Sequence, residues 1–167
     1  MSGPRDPACV YRLQLADPEM LRELHGVAAE PLAAWRKTSP EFPFQLIPSR
    51  MQNSQNSSLR MPGVLKTGYN PAWMSPKDMD GLALKDGDPV AIRSRHGRVT
   101  AFVKPDEGLR AGVVALMHGF GGMPGKGYDP RRDGANVNQL TSWDDDCDPH
   151  HGMPRMGALP VAITPER

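Results

Sequence analysis

The 167-residue chain has no long hydrophobic segment, and its longest apolar run is Val113–Met117. A helix that spans a bilayer needs about 20 apolar residues, so we expect no transmembrane helix. The first seven residues lack the apolar stretch of a secretory signal. Only two cysteines, Cys9 and Cys147, are present. They give no disulfide framework and predict reduced thiols in a cytoplasmic protein.

An excess of charge of one sign is also missing. Twenty Lys and Arg residues stand against nineteen Asp and Glu residues, for a formal net charge of +1. Proteins that bind nucleic acid through its phosphates usually carry a clear basic excess. We therefore expect no nucleic-acid partner and no insertion into a membrane.

Glycine and proline, in contrast, are abundant, with 17 and 18 residues. Proline interrupts helices, and glycine favours turns, so this composition argues against a helix bundle. The apolar share of 38% is enough for one modest core. Short strands joined by many turns are the expected architecture.

The first 40 residues are interpreted as an N-terminal extension or linker. Asp17 is followed by Pro18, the typical order of an N-cap and a first helical residue. Leu21 and Leu24 begin a helical spacing of apolar residues that predicts a helix over about 17–37. Pro31 falls inside this range and predicts a kink or two shorter helices.

Residues 41–165 have the pattern of a compact β-barrel. Two alternating segments, 89–95 and 98–104, flank a His-Gly pair and predict a hairpin. Val113–Met117 predicts a fully buried strand. Ser75 is followed by Pro76, which predicts a capped short helix. Further segments are interpreted as strands at 42–49 and 158–164 and as extended chain at 67–73.

Three predicted loops, 50–58, 119–127 and 134–141, share a composition of amides, hydroxyls and glycines. Such loops offer hydrogen bonds to a ring with several heteroatoms, such as a pterin or a guanine. They contain no general base next to a nucleophile, which indicates ligand binding without catalysis. The glycine- and proline-rich segment 119–133 as a whole is predicted as a loop. Its residues Arg131 and Arg132 would be charge-assisted donors if this loop bound phosphate, and would otherwise be solvated.

The segment 144–151 is dense in aspartate and histidine and also contains Cys147. It mixes hard and soft ligands without the spacing of a zinc finger. A solvated acidic loop and a metal site both remain open for it. The His118-Gly119 pair begins a glycine-rich stretch like the oxyanion loop of esterases, but no Gly-x-Ser-x-Gly sequence supplies a nucleophile.

The order of motifs over residues 42–165 resembles a known family. The motifs are NPAWMSPKD, LALKDGDPVAIRSRHGRVTAFVKPDEGLRAGVVALMHGFGG, GANVNQLT, DPHHGMP and ALPVAITP. They resemble the C-terminal molybdopterin dinucleotide-binding domain of the dimethyl-sulfoxide-reductase family of oxidoreductases, which includes formate dehydrogenases and nitrate reductases. The resemblance implies a mainly β fold, a six-stranded double-psi β-barrel with short helices.

The resemblance also implies which residues bind the cofactor, part of a molybdopterin guanine dinucleotide carrying molybdenum or tungsten. Matched position by position, they are Ser49, Arg50, Asn53, Ser54, Gln55, His118, Gly119, Asn136, Asn138, Asp148 and Pro154. Arg50 would neutralise phosphate, and the amides would bind ring heteroatoms. His150 and His151 replace the small residues that often precede the glycine of the Asp148 motif.

The family's metal-coordinating residue and its iron–sulfur cysteines lie in an earlier domain and have no counterpart here. We therefore expect no catalytic or metal-ligating residue in this chain. It would act with a larger catalytic molybdopterin oxidoreductase chain or domain that shares the cofactor, and it would not catalyse alone. The alternative is a protein-interaction module on the same barrel, with no small-molecule ligand.

Overall fold

The computed structural model describes residues 17–31, 38–50, 68–121, 125, 127–148 and 150–166. The chain divides into two compact units, residues 1–35 and 36–167. The boundary placed between residues 40 and 41 from the sequence stays a prediction. Among the described residues, no helix is long and apolar enough to cross a bilayer.

The described residues of the first unit form the helix α1 (Pro18–Ala29), which begins as the sequence predicts. The carboxylate of Asp17 accepts hydrogen bonds from the N–H groups of Glu19 and Met20, at 2.8 and 2.9 Å. The helix ends two residues before Pro31, and Glu30 is already extended, with ψ at 131°. A residue that precedes proline is pushed out of the helical region, which explains this end. The predicted continuation over 32–37 lies outside the described residues.

The second unit is a closed barrel of six strands, which confirms the mainly β class and the six-stranded barrel. Its strands are β1 (Phe44–Ser49), β2 (Ala72–Met74), β3 (Pro89–Arg93), β4 (Arg98–Pro105), β5 (Val113–Met117) and β6 (Leu159–Pro165). Around the barrel the order is β1-β5-β2-β4-β3-β6. The double-psi form of the barrel stays a prediction.

The predicted hairpin is present as β3 and β4, which pair antiparallel with Val90 opposite Ala101 and Ile92 opposite Val99. All four side chains are buried. At the turn, the Ser94 hydroxyl donates to the Leu140 carbonyl at 2.7 Å. A local turn signal and a period of two were sufficient to predict this element.

The core fills the inside of the barrel, and every strand contributes to it. Val114 and Leu116 of β5 point inward, and Ala115, on the outer face, is also buried at 7% exposure. Burial on both faces explains why the β5 sequence is continuously apolar. The fully buried large side chains are Leu46, Met74, Ile92, Leu116, Leu140, Val90, Val103, Val114, Val137 and Val161.

Among the described residues of the second unit there are also two short helices and one 3-10 turn. Ser75 caps α2 (Pro76–Gly81), as predicted, and its hydroxyl oxygen accepts from the Asp78 N–H at 3.2 Å. Asp129 caps α3 (Pro130–Asp133), a helical turn within a segment predicted as loop. A 3-10 helix spans Val137–Leu140.

Strand directions gather several loops at one end of the barrel. β1 runs parallel to β5 and β2 parallel to β4, whereas the other neighbouring pairs are antiparallel. The carboxyl ends of β1, β3 and β5 therefore meet the amino ends of β2, β4 and β6. We call this the upper end of the barrel, marked by Ser49, Arg93 and Met117.

Candidate cofactor-binding site

The adjacent parallel strands β1 and β5 bring two predicted cofactor residues together at the upper end. Ser49 is in register with Met117, so His118 follows beside it. The Ser49 carbonyl oxygen accepts from the His118 N–H at 3.1 Å and lies 2.9 Å from His118 Nδ1. Because a carbonyl only accepts, Nδ1 carries a proton and donates. Arg50 follows Ser49 directly and is exposed.

The Ser49 hydroxyl is buried and has no hydrogen-bond partner among the residues that the structure describes. A buried polar group without a partner costs free energy, so native proteins rarely keep one without a reason. A polar ligand at the upper end would satisfy it. This unpaired hydroxyl fits the cofactor that the family resemblance implies.

The loop after β5 packs against the segment that carries the predicted asparagines. Gly121 donates to the Asp133 carbonyl at 2.8 Å. Its φ is +67°, and a Cβ there would lie 2.6 Å from the backbone nitrogen of Asn136. Only glycine permits this approach, which places Asn136 close to the loop that carries His118 and Gly119.

Asn136 also organises its own segment. Its side-chain oxygen accepts from the Asn138 N–H at 3.1 Å and so caps the 3-10 helix. Asn138 is exposed, and its carbonyl accepts from the Thr141 hydroxyl at 3.0 Å. The segment is thus held in shape by its own polar groups, with the Asn138 side chain open to solvent.

The sequence did not single out Asn70, which joins the two loops just described. Its side-chain nitrogen donates to the Met117 carbonyl at 2.5 Å and to the Ala135 carbonyl at 2.9 Å. Its side-chain oxygen accepts from the Ala135 N–H at 2.7 Å. The Asn70 side chain is almost fully buried, at 1% exposure. The only local signal was the Asn-Pro pair, which indicates a turn.

Asp148 and Pro154 belong to a separate loop with its own bracing. Pro154 pairs with Cys147 in an isolated bridge. One carboxylate oxygen of Asp148 accepts from the N–H groups of His151 and His150, at 2.7 and 2.9 Å. The hydrogen bond from the His151 N–H is the main cause that lowers the pKa of Asp148 below its ordinary value. In this structure Asp148 is therefore a cap for its own loop.

The same loop reaches the turn between β3 and β4. His96 lies 3.6 Å from Asp145, measured from Nε2 to Oδ1, and Arg155 pairs with Asp146 at 3.1 Å. No group of three or more histidine, cysteine or acidic side chains within the described ranges could hold a metal ion. The described contacts therefore favour a braced polar loop.

Arg131 and Arg132 are both engaged within the chain. The Arg131 guanidinium lies over the Phe102 ring, with 3.9 Å between its central carbon and the ring centroid. Arg132 pairs with Asp133 at 2.7 Å, and the hydrogen bond to that carboxylate raises the pKa of Arg132. These contacts support α3 and the adjoining barrel wall. Asn53, Ser54 and Gln55 lie outside the described residues.

Comparison with known proteins finds relatives of the barrel unit. The family model described as "Molydopterin dinucleotide binding domain" matches residues 44–160. A tetrathionate reductase subunit from Salmonella typhimurium is 29% identical, over 60% of this chain and 11% of that protein. Acetylene hydratase from Pelobacter acetylenicus is 25% identical, with a TM-score of 0.62, over 74% of this chain and 18% of that one.

The chain thus spans less than a fifth of either relative. The family match, in contrast, extends over most of this chain, from the first barrel strand to the start of the last. The barrel and the family match coincide, and the chain belongs to the family of molybdopterin dinucleotide-binding domains, which associate with the molybdopterin guanine dinucleotide cofactor.

Proposed function

We propose that this chain forms one side of the cofactor site in a larger molybdenum or tungsten oxidoreductase, similar to formate dehydrogenases or nitrate reductases. The observation that carries the proposal is the buried, unpaired hydroxyl of Ser49 at the upper end of the barrel. The carbonyl oxygen of the same residue lies 2.9 Å from His118 Nδ1, in a chain whose family binds this cofactor.

The chain's own residues would bind and orient the cofactor. Arg50, exposed at the end of β1, would neutralise a phosphate through its guanidinium. The Ser49 hydroxyl and the amides of Asn136 and Asn138 would hydrogen-bond to heteroatoms. Gly119, with φ at +84°, would let the backbone come close. When bound, the cofactor supplies the metal that exchanges electrons with the substrate.

A larger catalytic partner is part of the same proposal. Both relatives are much longer than the matched region, which supports a domain that works within a larger enzyme. A barrel that offers one side of a shared cleft leaves the other face of the cofactor in water. We therefore expect weak or undetectable affinity of the isolated chain for the cofactor. The cytoplasmic location remains a prediction from the sequence.

The test uses Ser49→Ala in the complete enzyme, purified with its partners from its own cells. We expect less molybdenum or tungsten, and less acid-released guanine nucleotide, per chain than in the wild type. The isolated Ser49→Ala chain should be as stable as the wild type or slightly more stable, because an unpaired buried hydroxyl is removed.

Trp73→Phe is the matched control. It removes the indole N–H of Trp73, the other buried polar atom without a partner among the described residues. Trp73 lies on β2 in register with Ala115, and the Lys104 Nζ lies 5.1 Å from the centroid of its ring. We expect this substitution to leave the cofactor content unchanged. Equal cofactor content in all three proteins would contradict the assignment of Ser49. A wild-type complex without metal or nucleotide would refute the proposed function and favour the interaction module.

A further inference from the structure

The Asn70 side chain uses both hydrogens of its amide nitrogen and its oxygen within the chain. Toward Ala135 it pairs with the N–H and the carbonyl of one residue, as a neighbouring strand would. Its second N–H reaches Met117, the last residue of β5. One buried side chain therefore joins the end of β5 to the segment at Ala135, in addition to the hydrogen bond from the Gly121 N–H to the Asp133 carbonyl.

The two residues that Asn70 binds have a specific place in the sequence. Met117 directly precedes His118, and Ala135 directly precedes Asn136. The amide thus fastens the backbone one residue before a predicted cofactor residue on each of two loops. Loss of these hydrogen bonds would let His118 and Asn136 shift relative to each other.

A glycine beside Asn70 supports the same arrangement. Gly134 has φ at +78°, and a Cβ there would lie 2.6 Å from the Asn70 side-chain oxygen. The same Cβ would lie 2.9 Å from Cβ of Phe120, in the loop after β5. Asn70 therefore reaches Ala135 only because the residue before it has no side chain.

We propose that Asn70 is the positioning residue of the cofactor site. It holds His118 and Asn136 at a fixed separation, and it does so through their neighbours without contacting the cofactor itself. This role rests on the proposed function. Aspartate has the same shape but lacks the two N–H donors, and alanine has neither donor nor acceptor. Both substitutions would leave carbonyls of the two loops without a buried partner.

The experiment compares cofactor retention in the complete enzyme carrying Asn70→Asp or Asn70→Ala. Metal and guanine nucleotide per chain are measured after dialysis, well below the unfolding temperature of each variant. We expect retention to fall about tenfold in both variants, by analogy with the lower bound of the loss seen when a residue that supports the ligands of a bound metal is removed. Asn70→Asp keeps the shape of the side chain, so the retention measurement can be made on this variant if the alanine variant does not accumulate in cells.

Ser75→Ala is the matched control. Ser75 is also buried and polar, with 5% exposure, but it caps α2 at the opposite end of the barrel. If the role of Asn70 is purely structural, cofactor retention should fall with the unfolding temperature to the same extent in the Asn70 variants and in Ser75→Ala. If Asn70 is a positioning residue, Ser75→Ala should lower the unfolding temperature, because the cap of α2 is lost, and should leave cofactor retention unchanged.

Asn70→Asp offers a second readout through pH. A carboxyl buried against two carbonyls is stabilised in its neutral form, which donates one hydrogen bond again. Retention by this variant should therefore improve as the pH falls, whereas retention by the wild type should not. Wild-type retention in both Asn70 variants, or an equal loss in Ser75→Ala, would overturn the positioning role alone. A wild-type enzyme without cofactor would overturn the proposed function, and this role with it.

Discussion

The imidazole of His118 is hydrogen-bonded to the carbonyl of Ser49, with 2.9 Å between Nδ1 and the oxygen, although 69 positions separate the two residues. The His118 backbone N–H donates to the same oxygen at 3.1 Å. Two donors from one residue therefore meet one acceptor where β1 and β5 end. This double contact sets the direction of the His118 ring at the upper end of the barrel.

Substitution of His118 by alanine tests this contact. One neutral hydrogen bond is lost, so the free energy of unfolding should fall by about 1 kcal/mol in urea titration of the isolated chain. In the complete enzyme the cofactor content per chain should fall as well. Ser75→Ala serves as control, because the Ser75 hydroxyl accepts from the Asp78 N–H at 3.2 Å at the opposite end of the barrel. A cofactor loss equal in both variants would contradict a specific role of His118.

Gly134→Ala should be strongly destabilising. An alanine at φ +78° and ψ −178°, a region essentially restricted to glycine, costs about 1–3 kcal/mol in backbone strain. Its Cβ would also overlap Asn70 and Phe120, which adds about 1–3 kcal/mol. Gly112→Ala is the matched control, since its φ is +81° and no atom lies within 4 Å of the added Cβ. Urea unfolding should show the strain cost alone in Gly112→Ala; equal losses in both variants would contradict the close packing around Asn70.

The loop around Asp148 should loosen in acid. The pKa of Asp148 is lowered, first by the hydrogen bond from the His151 N–H, so the folded loop favours the carboxylate. Its stabilisation is present above the ordinary pKa of 3.8 and is lost as the pH falls through the lower folded value. The protection of the His150 and His151 amides, measured by NMR as the exchange rate relative to the intrinsic rate at each pH, should fall from about pH 4 downward. Asp148→Asn keeps the acceptor oxygen and should abolish this acid sensitivity; a loop that still loosens in that variant would contradict the assignment.

Local sequence patterns predicted much of the fold because the caps and the hairpin are formed by residues close together in the chain. Asp17 and Ser75 cap α1 and α2 through hydrogen bonds that span only two or three residues. The β3–β4 hairpin joins segments that are adjacent in the chain. In contrast, β2 has only three residues, too few to show a period of two, and the sequence indicated no more than extended chain there. α3 is a single turn within a segment rich in glycine and proline, and it was predicted as loop.

The sequence by itself determined the mainly β class, the capped helices, the hairpin, the buried character of β5 and the order of motifs that indicates the family. Only the tertiary structure decided which of the motif residues meet. Ser49 and His118 meet because β1 and β5 are parallel neighbours in a closed barrel. Asn70 joins Met117 and Ala135 across separations of 47 and 65 residues. Contacts of that range leave no periodicity or spacing in the chain, because they depend on how the strands close and not on any one segment.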